Sequence, residues 1–124
     1  MSKIVFIFLL MFSSLNAIEW FSYEEGLKLQ AENGKVIMID VVRSECHFCN
    51  EMEADVFYNK EMIKWLNKRF IPVKVNLDKD KMPLDISISF TPSFFFIDKN
   101  QKILKSVPGA WNIEDFKDLT KGIK

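Results

Sequence analysis

The sequence predicts a three-layer α/β sandwich, a mixed central sheet flanked by helices. Val36–Val42 is apolar and β-branched except for Met38 and Asp40. A run without polar alternation suits a strand buried on both faces, as in a parallel sheet. Ser93–Ile97 and Lys102–Val107 are separated by Asp98-Lys99-Asn100-Gln101 and read as an antiparallel hairpin. Helical patterns precede, separate and follow these segments, so parallel crossovers and a terminal hairpin share one sheet.

Each element has its own local signal. Ile18-Glu19-Trp20 reads as a short first strand. Ser22-Tyr23-Glu24-Glu25 fits a capping box opening a helix, with Tyr23, Leu27 and Ala31 on one face. Asn33-Gly34 stops that helix, because both residues tolerate a left-handed backbone. Cys46 opens the next helix, whose apolar side is Met52, Val56 and Phe57. Asn59 caps another through Arg69, burying Met62, Ile63, Leu66 and Trp65. Phe70–Val75 is a strand in which Pro72 must sit near the start or at an edge. Asp78–Pro83 is a charged loop, and Leu84, Ile86 and Ile88 form a short helix or an extended piece. Asn112 caps a last helix carrying Ile113, Phe116, Leu119 and Ile123.

The first residues read as an export signal. Lys3 gives a positive start, Ile4–Phe12 is an apolar run, and Ser13-Ser14-Leu15-Asn16-Ala17 supplies a small-residue cleavage site. The run is well short of the roughly 20 residues of a membrane-spanning helix. Residues 1–17 are therefore expected to be a signal peptide and 18–124 a single domain. The product would be periplasmic in a cell with an outer membrane and extracellular otherwise. The formal net charge is zero, which gives no reason to expect a nucleic-acid partner. A monomer is expected, as no dimerisation segment precedes the domain.

The only two cysteines lie in Cys46-His47-Phe48-Cys49. A loop this short stabilises a fold little by constraining the unfolded chain, because that effect grows with loop length. In an exported protein the pair is better explained as working thiols. Cys46, at a helix N-terminus, meets unpaired amides that favour a thiolate, and Cys49 stands one turn on. A zinc ribbon needs four ligands, usually two such pairs. Covalent haem attachment needs His directly after the second cysteine, where this chain has Asn50. Cu(I) carriage by two thiolates stays open.

Val36–Asp40, then Cys46-x-x-Cys49, then Thr91-Pro92-Ser93-Phe94-Phe95-Phe96-Ile97-Asp98 resemble the thioredoxin-like superfamily. The stretch Cys49–Phe57 and the segment from Asn59 to Val75 are most similar to periplasmic thiol:disulfide interchange domains. The nearest type is the C-terminal domain of the transmembrane disulfide reductase. The resemblance implies a redox disulfide between Cys46 and Cys49, with Cys46 as nucleophile and Cys49 as resolving thiol. It implies that Asp40 is a buried carboxylate exchanging protons with Cys49, where desolvation would raise its pKa. Pro92 corresponds to a cis-proline facing the disulfide, with Thr91 presenting backbone groups to an extended substrate. His47 and Phe48 complete the substrate-facing surface, and Gly109 matches a glycine that lets the chain pass close to the site. Glu45 and His47 depart from thioredoxin's own residues there and pull the Cys46 pKa in opposite directions.

The expected activity is reduction of disulfides in exported proteins, apocytochrome c among them, with a membrane thiol–disulfide donor regenerating the dithiol. No metal or diffusible cofactor is needed. The alternatives are a disulfide oxidase or isomerase, or a non-catalytic module that binds copper or protein through the same thiols. Lys60, Lys64 and Lys68 read as a solvated helix face, Phe94–Phe96 as a central strand, and Trp111 as flanking the site or capping the core.

Overall fold

The computed structural model describes residues 17–124. The expected signal peptide, of which only Ala17 falls in that range, otherwise lies outside the described residues.

The domain is an α/β thioredoxin-like fold, with a mixed four-stranded sheet of order β2-β1-β3-β4 flanked by four helices. β1 (Val36–Val42) runs parallel to β2 (Phe70–Asn76) and antiparallel to β3 (Ser93–Ile97), which pairs antiparallel with β4 (Ile103–Pro108). Every residue of β1 and β3 is buried, Asp40 and Ser93 included, as suits predominantly apolar runs without polar alternation. Their side chains alternate between two cores. Met38, Phe94 and Phe96 join Met52, Phe57, Leu66, Phe70 and Phe116 on one face. Ile37, Ile39, Val41 and Phe95 join Ile71, Val73 and Val75 on the other. Thus Phe94-Phe95-Phe96 serves both cores and is not a ligand groove.

Helix α1 (Tyr23–Asn33) begins on the expected capping box. Ser22 Oγ accepts from the Glu25 amide at 3.1 Å, and Glu25 Oε1 accepts from the Ser22 amide at 3.0 Å. Such a cap stabilises the helix by about 1 kcal/mol. Gly34, at φ 71°, closes the helix by donating to Gln30 O. The packed face differs from the Tyr23–Leu27–Ala31 stripe: Ala31 is exposed, whereas Gly26 and Gln30 are buried. Gly26 sets this rotation, because a Cβ there would lie 2.6 Å from Val73 Cγ2. Gln30 Nε2 then bridges Lys35 O and Ile97 O. Gly26→Ala is expected to destabilise the domain by about 1–3 kcal/mol through overpacking, read as a lower urea midpoint.

The remaining elements follow their signals except at Ile18–Trp20, at the end of the helix after Cys46 and at Ile123. Ile18–Trp20 is not a strand; only Phe21 forms a bridge, to Val73, donating to Pro72 O and accepting from the Lys74 amide. Pro72 lies third in β2, tolerated because β2 is an edge strand. The helix after Cys46 is α2 (His47–Met52), which passes into a π-helical turn over Glu53–Phe57. Leu84, Ile86 and Ile88 form an irregular extended segment, half-buried on the second core at every other residue, with no ladder. Helix α3 (Lys60–Arg69) has Asn59 as its cap and leaves Lys60, Lys64 and Lys68 exposed. Helix α4 (Ile113–Thr120) is capped by Asn112 and ends before Ile123.

Candidate redox site

The site forms where β1 ends and α2 begins. Cys46 is the N-cap of α2, in extended backbone, and its sulfur accepts the Cys49 amide at 3.1 Å. The two cysteines are joined by a disulfide with Cα atoms 5.2 Å apart. Both pack against Val42 at the last position of β1 and are largely buried. Between them, His47 and Phe48 point outward, with Phe48 59% exposed. His47 Nε2 stands 3.8 Å from Glu51 Oε2, one turn along the helix.

The loop before β3 closes over Cys46. The Thr91–Pro92 peptide bond is cis, as the family resemblance implies. Thr91 Oγ1 lies 3.2 Å from Cys46 Sγ, and Thr91 O lies 3.5 Å from it. A disulfide sulfur only accepts, so the Thr91 hydroxyl is the donor here. Gly109, at φ 89°, donates to Pro92 O at 2.8 Å and so ties the end of β4 to this loop. Thr91, Pro92, Cys46, Cys49 and Gly109 are therefore brought together from three separate parts of the chain.

Asp40 is 2% exposed, not at a solvent edge of its strand. By strand alternation it shares the sheet face of Met38 and Val42, the face covered by α2. Its register partners are Lys74 on β2 and Phe94 on β3. Oδ1 of Asp40 is buried without a hydrogen-bond partner. Burial pushes its pKa up to about 7, against the pull of Lys74 and with a smaller push from Glu53.

Sequence reasoning missed those two charges. Lys74 Nζ pairs with Glu53 Oε2 at 3.0 Å and lies 4.3 Å from the centroid of the Trp20 ring. A lysine inside the apolar run Phe70–Val75, and a glutamate one turn beyond Cys49, were the signals available. The Thr91 hydroxyl was also missed, since the family resemblance gives Thr91 only its backbone groups. Among the described residues no group of three or more His, Cys, Asp or Glu side chains is arranged to hold a metal ion.

Residues 7–113 match the family model Thioredox_DsbH, described as "Protein of unknown function, DUF255". The chain belongs to this family. An uncharacterised protein of Archaeoglobus fulgidus is 32% identical over 85 residues, 68% of this chain and 65% of that protein. Human spermatogenesis-associated protein 20 is 32% identical over 69 residues, 55% of this chain and 8% of that protein. The chain thus spans less than two thirds of the archaeal relative and under a tenth of the human one. Among solved structures, a Thermus thermophilus thioredoxin superposes with a TM-score of 0.68 at 22% identity, covering 85% of this chain and 86% of that one. A DsbH oxidoreductase gives 0.66 at 20%, covering 92% and 93%. The oxidised C-terminal domain of Neisseria meningitidis DsbD gives 0.64 at 17%, covering 86% and 100%. At these identities the likeness is one of fold.

Proposed function

We propose that this family member is an exported thiol–disulfide oxidoreductase of the periplasmic interchange type, working as a reductase. The observation that carries the reading is Asp40, a buried carboxyl on the sheet face covered by α2 whose Oδ1 has no hydrogen-bond partner. An inert staple has no use for such a group, which opposes stability whenever it ionises. A resolving thiol does, since it must lose a proton before it can attack. Export is supported by the Lys3, Ile4–Phe12 and Ala17 pattern.

In the reductase direction, Cys46 thiolate attacks one sulfur of a client disulfide. The client S–S bond breaks, one client sulfur leaves as a thiolate, and a mixed disulfide forms. Cys49 then gives its proton to Asp40 and attacks Cys46 Sγ. The second client sulfur departs, two electrons have passed to the client, and the enzyme holds the Cys46–Cys49 disulfide. A dithiol donor, proposed to be a membrane thiol–disulfide protein, returns it to the reduced state. Clients would be disulfide-bearing exported proteins, apocytochrome c among them.

The surroundings of Cys46 favour reduction over oxidation. Glu45 adjoins it in sequence, no lysine or arginine occurs from Ser44 to Asn59, and His47 stands 3.8 Å from Glu51. A strongly oxidising pair needs a strongly stabilised thiolate, which cations beside it would provide. Turnover of insulin disulfides with a dithiol donor tests the reading, and no acceleration over the donor alone would remove it. Thr91→Val is expected to raise the Cys46 thiol pKa by about one unit, the value of one hydrogen bond to a charged group. The pH dependence of iodoacetamide alkylation measures this shift.

A further inference from the structure

Resting on the redox reading above, we propose that the face around the disulfide docks a partner protein whose cysteine-bearing segment is flanked by lysine and arginine. Each of the three segments that meet at the disulfide carries a large exposed aromatic side chain: Phe48 at 59%, Phe90 at 59% and Trp111 at 38%. Phe48 lies between the cysteines, Phe90 precedes Thr91, and Trp111 follows Gly109, which is bonded to Pro92. Apolar surface gathered at one place marks an interaction site. Trp111 is also fixed in position, its amide donating to Met52 Sδ at 3.3 Å and its Nε1 to Pro108 O at 2.9 Å.

The charge around these rings is one-sided. The stretches 44–59, 84–96 and 106–116, parts of which meet at the disulfide, contain no lysine or arginine in a chain of zero formal charge. They expose Glu45, Glu51, Asp55, Asp85, Glu114 and Asp115. A groove of about 470 Å³ runs between α2 with its π turn and residues 110–114, bordered by Trp111, Glu51, Asp55 and Glu114. Basic residues near this end of the sheet lie on the β2 side: Arg43 is 3.8 Å from Asp78, and Lys79 and Lys81 alternate with Asp78 and Asp80.

A lysine or arginine entering the groove would lay its cation on the Trp111 ring and meet carboxylates at the rim. Phe48 and Phe90 would cover the apolar parts of its neighbours. The same charges repel an acidic partner and speed encounter with a basic one, most strongly at low salt.

The test uses two labelled peptides with serine in place of cysteine, one with lysine flanking that serine and one with glutamate. Fluorescence anisotropy with the oxidised protein at low salt is expected to show about tenfold tighter binding of the lysine peptide. That preference should collapse in Glu51→Gln/Glu114→Gln and survive in Glu24→Gln/Glu32→Gln, which makes the same charge change on α1. Equal binding of the two peptides, tighter binding of the glutamate peptide, or equal loss in both double variants would overturn the proposal. Reduction of hydroxyethyl disulfide, small and uncharged, is followed separately. Its absence alongside selective binding would remove the redox reading and leave the docking face standing; its presence without selective binding would do the reverse.

Discussion

Replacing Cys46 by serine is expected to abolish catalysed reduction of insulin disulfides, a loss of several orders of magnitude, because an alcohol cannot replace the thiolate as nucleophile. Cys49→Ser is expected to lose turnover for a different reason. Cys46 still attacks, but nothing resolves the adduct, so client and protein stay joined by a mixed disulfide. Non-reducing electrophoresis and intact mass should show that adduct with Cys49→Ser and not with Cys46→Ser. The asymmetry follows from position: Cys46 lies against the Thr91 loop, whereas Cys49 sits one turn further into the helix. Retained turnover in both single variants would exclude the mechanism, and an adduct only with Cys46→Ser would exchange the two roles.

Asp40→Asn is expected to have opposite effects on activity and stability. Turnover should fall by about 10²-fold, the scale of a lost proton acceptor, and most strongly below the pH at which Cys49 ionises unaided. The folded domain should instead gain stability at alkaline pH. Asp40 has its pKa raised from 3.8 to about 7 by burial, so the folded state prefers the neutral acid. Its favourable linkage is full below about pH 4, declines as pH rises, and is gone above about pH 7. The span corresponds to about 4 kcal/mol of wild-type stability lost across that window. Urea unfolding of the oxidised protein at pH 5 and pH 8 checks the sign. The wild type should weaken with rising pH, and Asp40→Asn should weaken much less. A wild-type midpoint that climbs over this range would mean that Lys74 outweighs burial and holds Asp40 ionised.

Much of this site was legible because short-range chemistry fixed it. The mostly apolar run Val36–Val42, the Ser22–Glu25 capping box and the Asn59 and Asn112 caps each set a local structure that packing then reinforced. Cys46 and Cys49 were legible from their spacing, and Asp40 as a site residue from family resemblance, since nothing local separates a buried strand Asp from an edge one. What stayed hidden depended on strands meeting at a distance. Lys74 faces Asp40 only because β1 and β2 align Asp40 with it in parallel register. Ile18–Trp20 has strand-like residues but gains only the Phe21 bridge, since Pro72 interrupts the donors on that edge. Gly26 rotated α1 because the contact with Val73, invisible in a helical pattern, left no room for a Cβ.

The assignment as a reductase is tested most directly by the reduction potential of the Cys46–Cys49 couple, obtained by equilibrating the protein with glutathione buffers. Glu45 beside Cys46 and the absence of lysine and arginine from 44–59 predict a value near thioredoxin's, about −270 mV. A value near −120 mV, that of a strong disulfide donor, would contradict it and make the protein an oxidase.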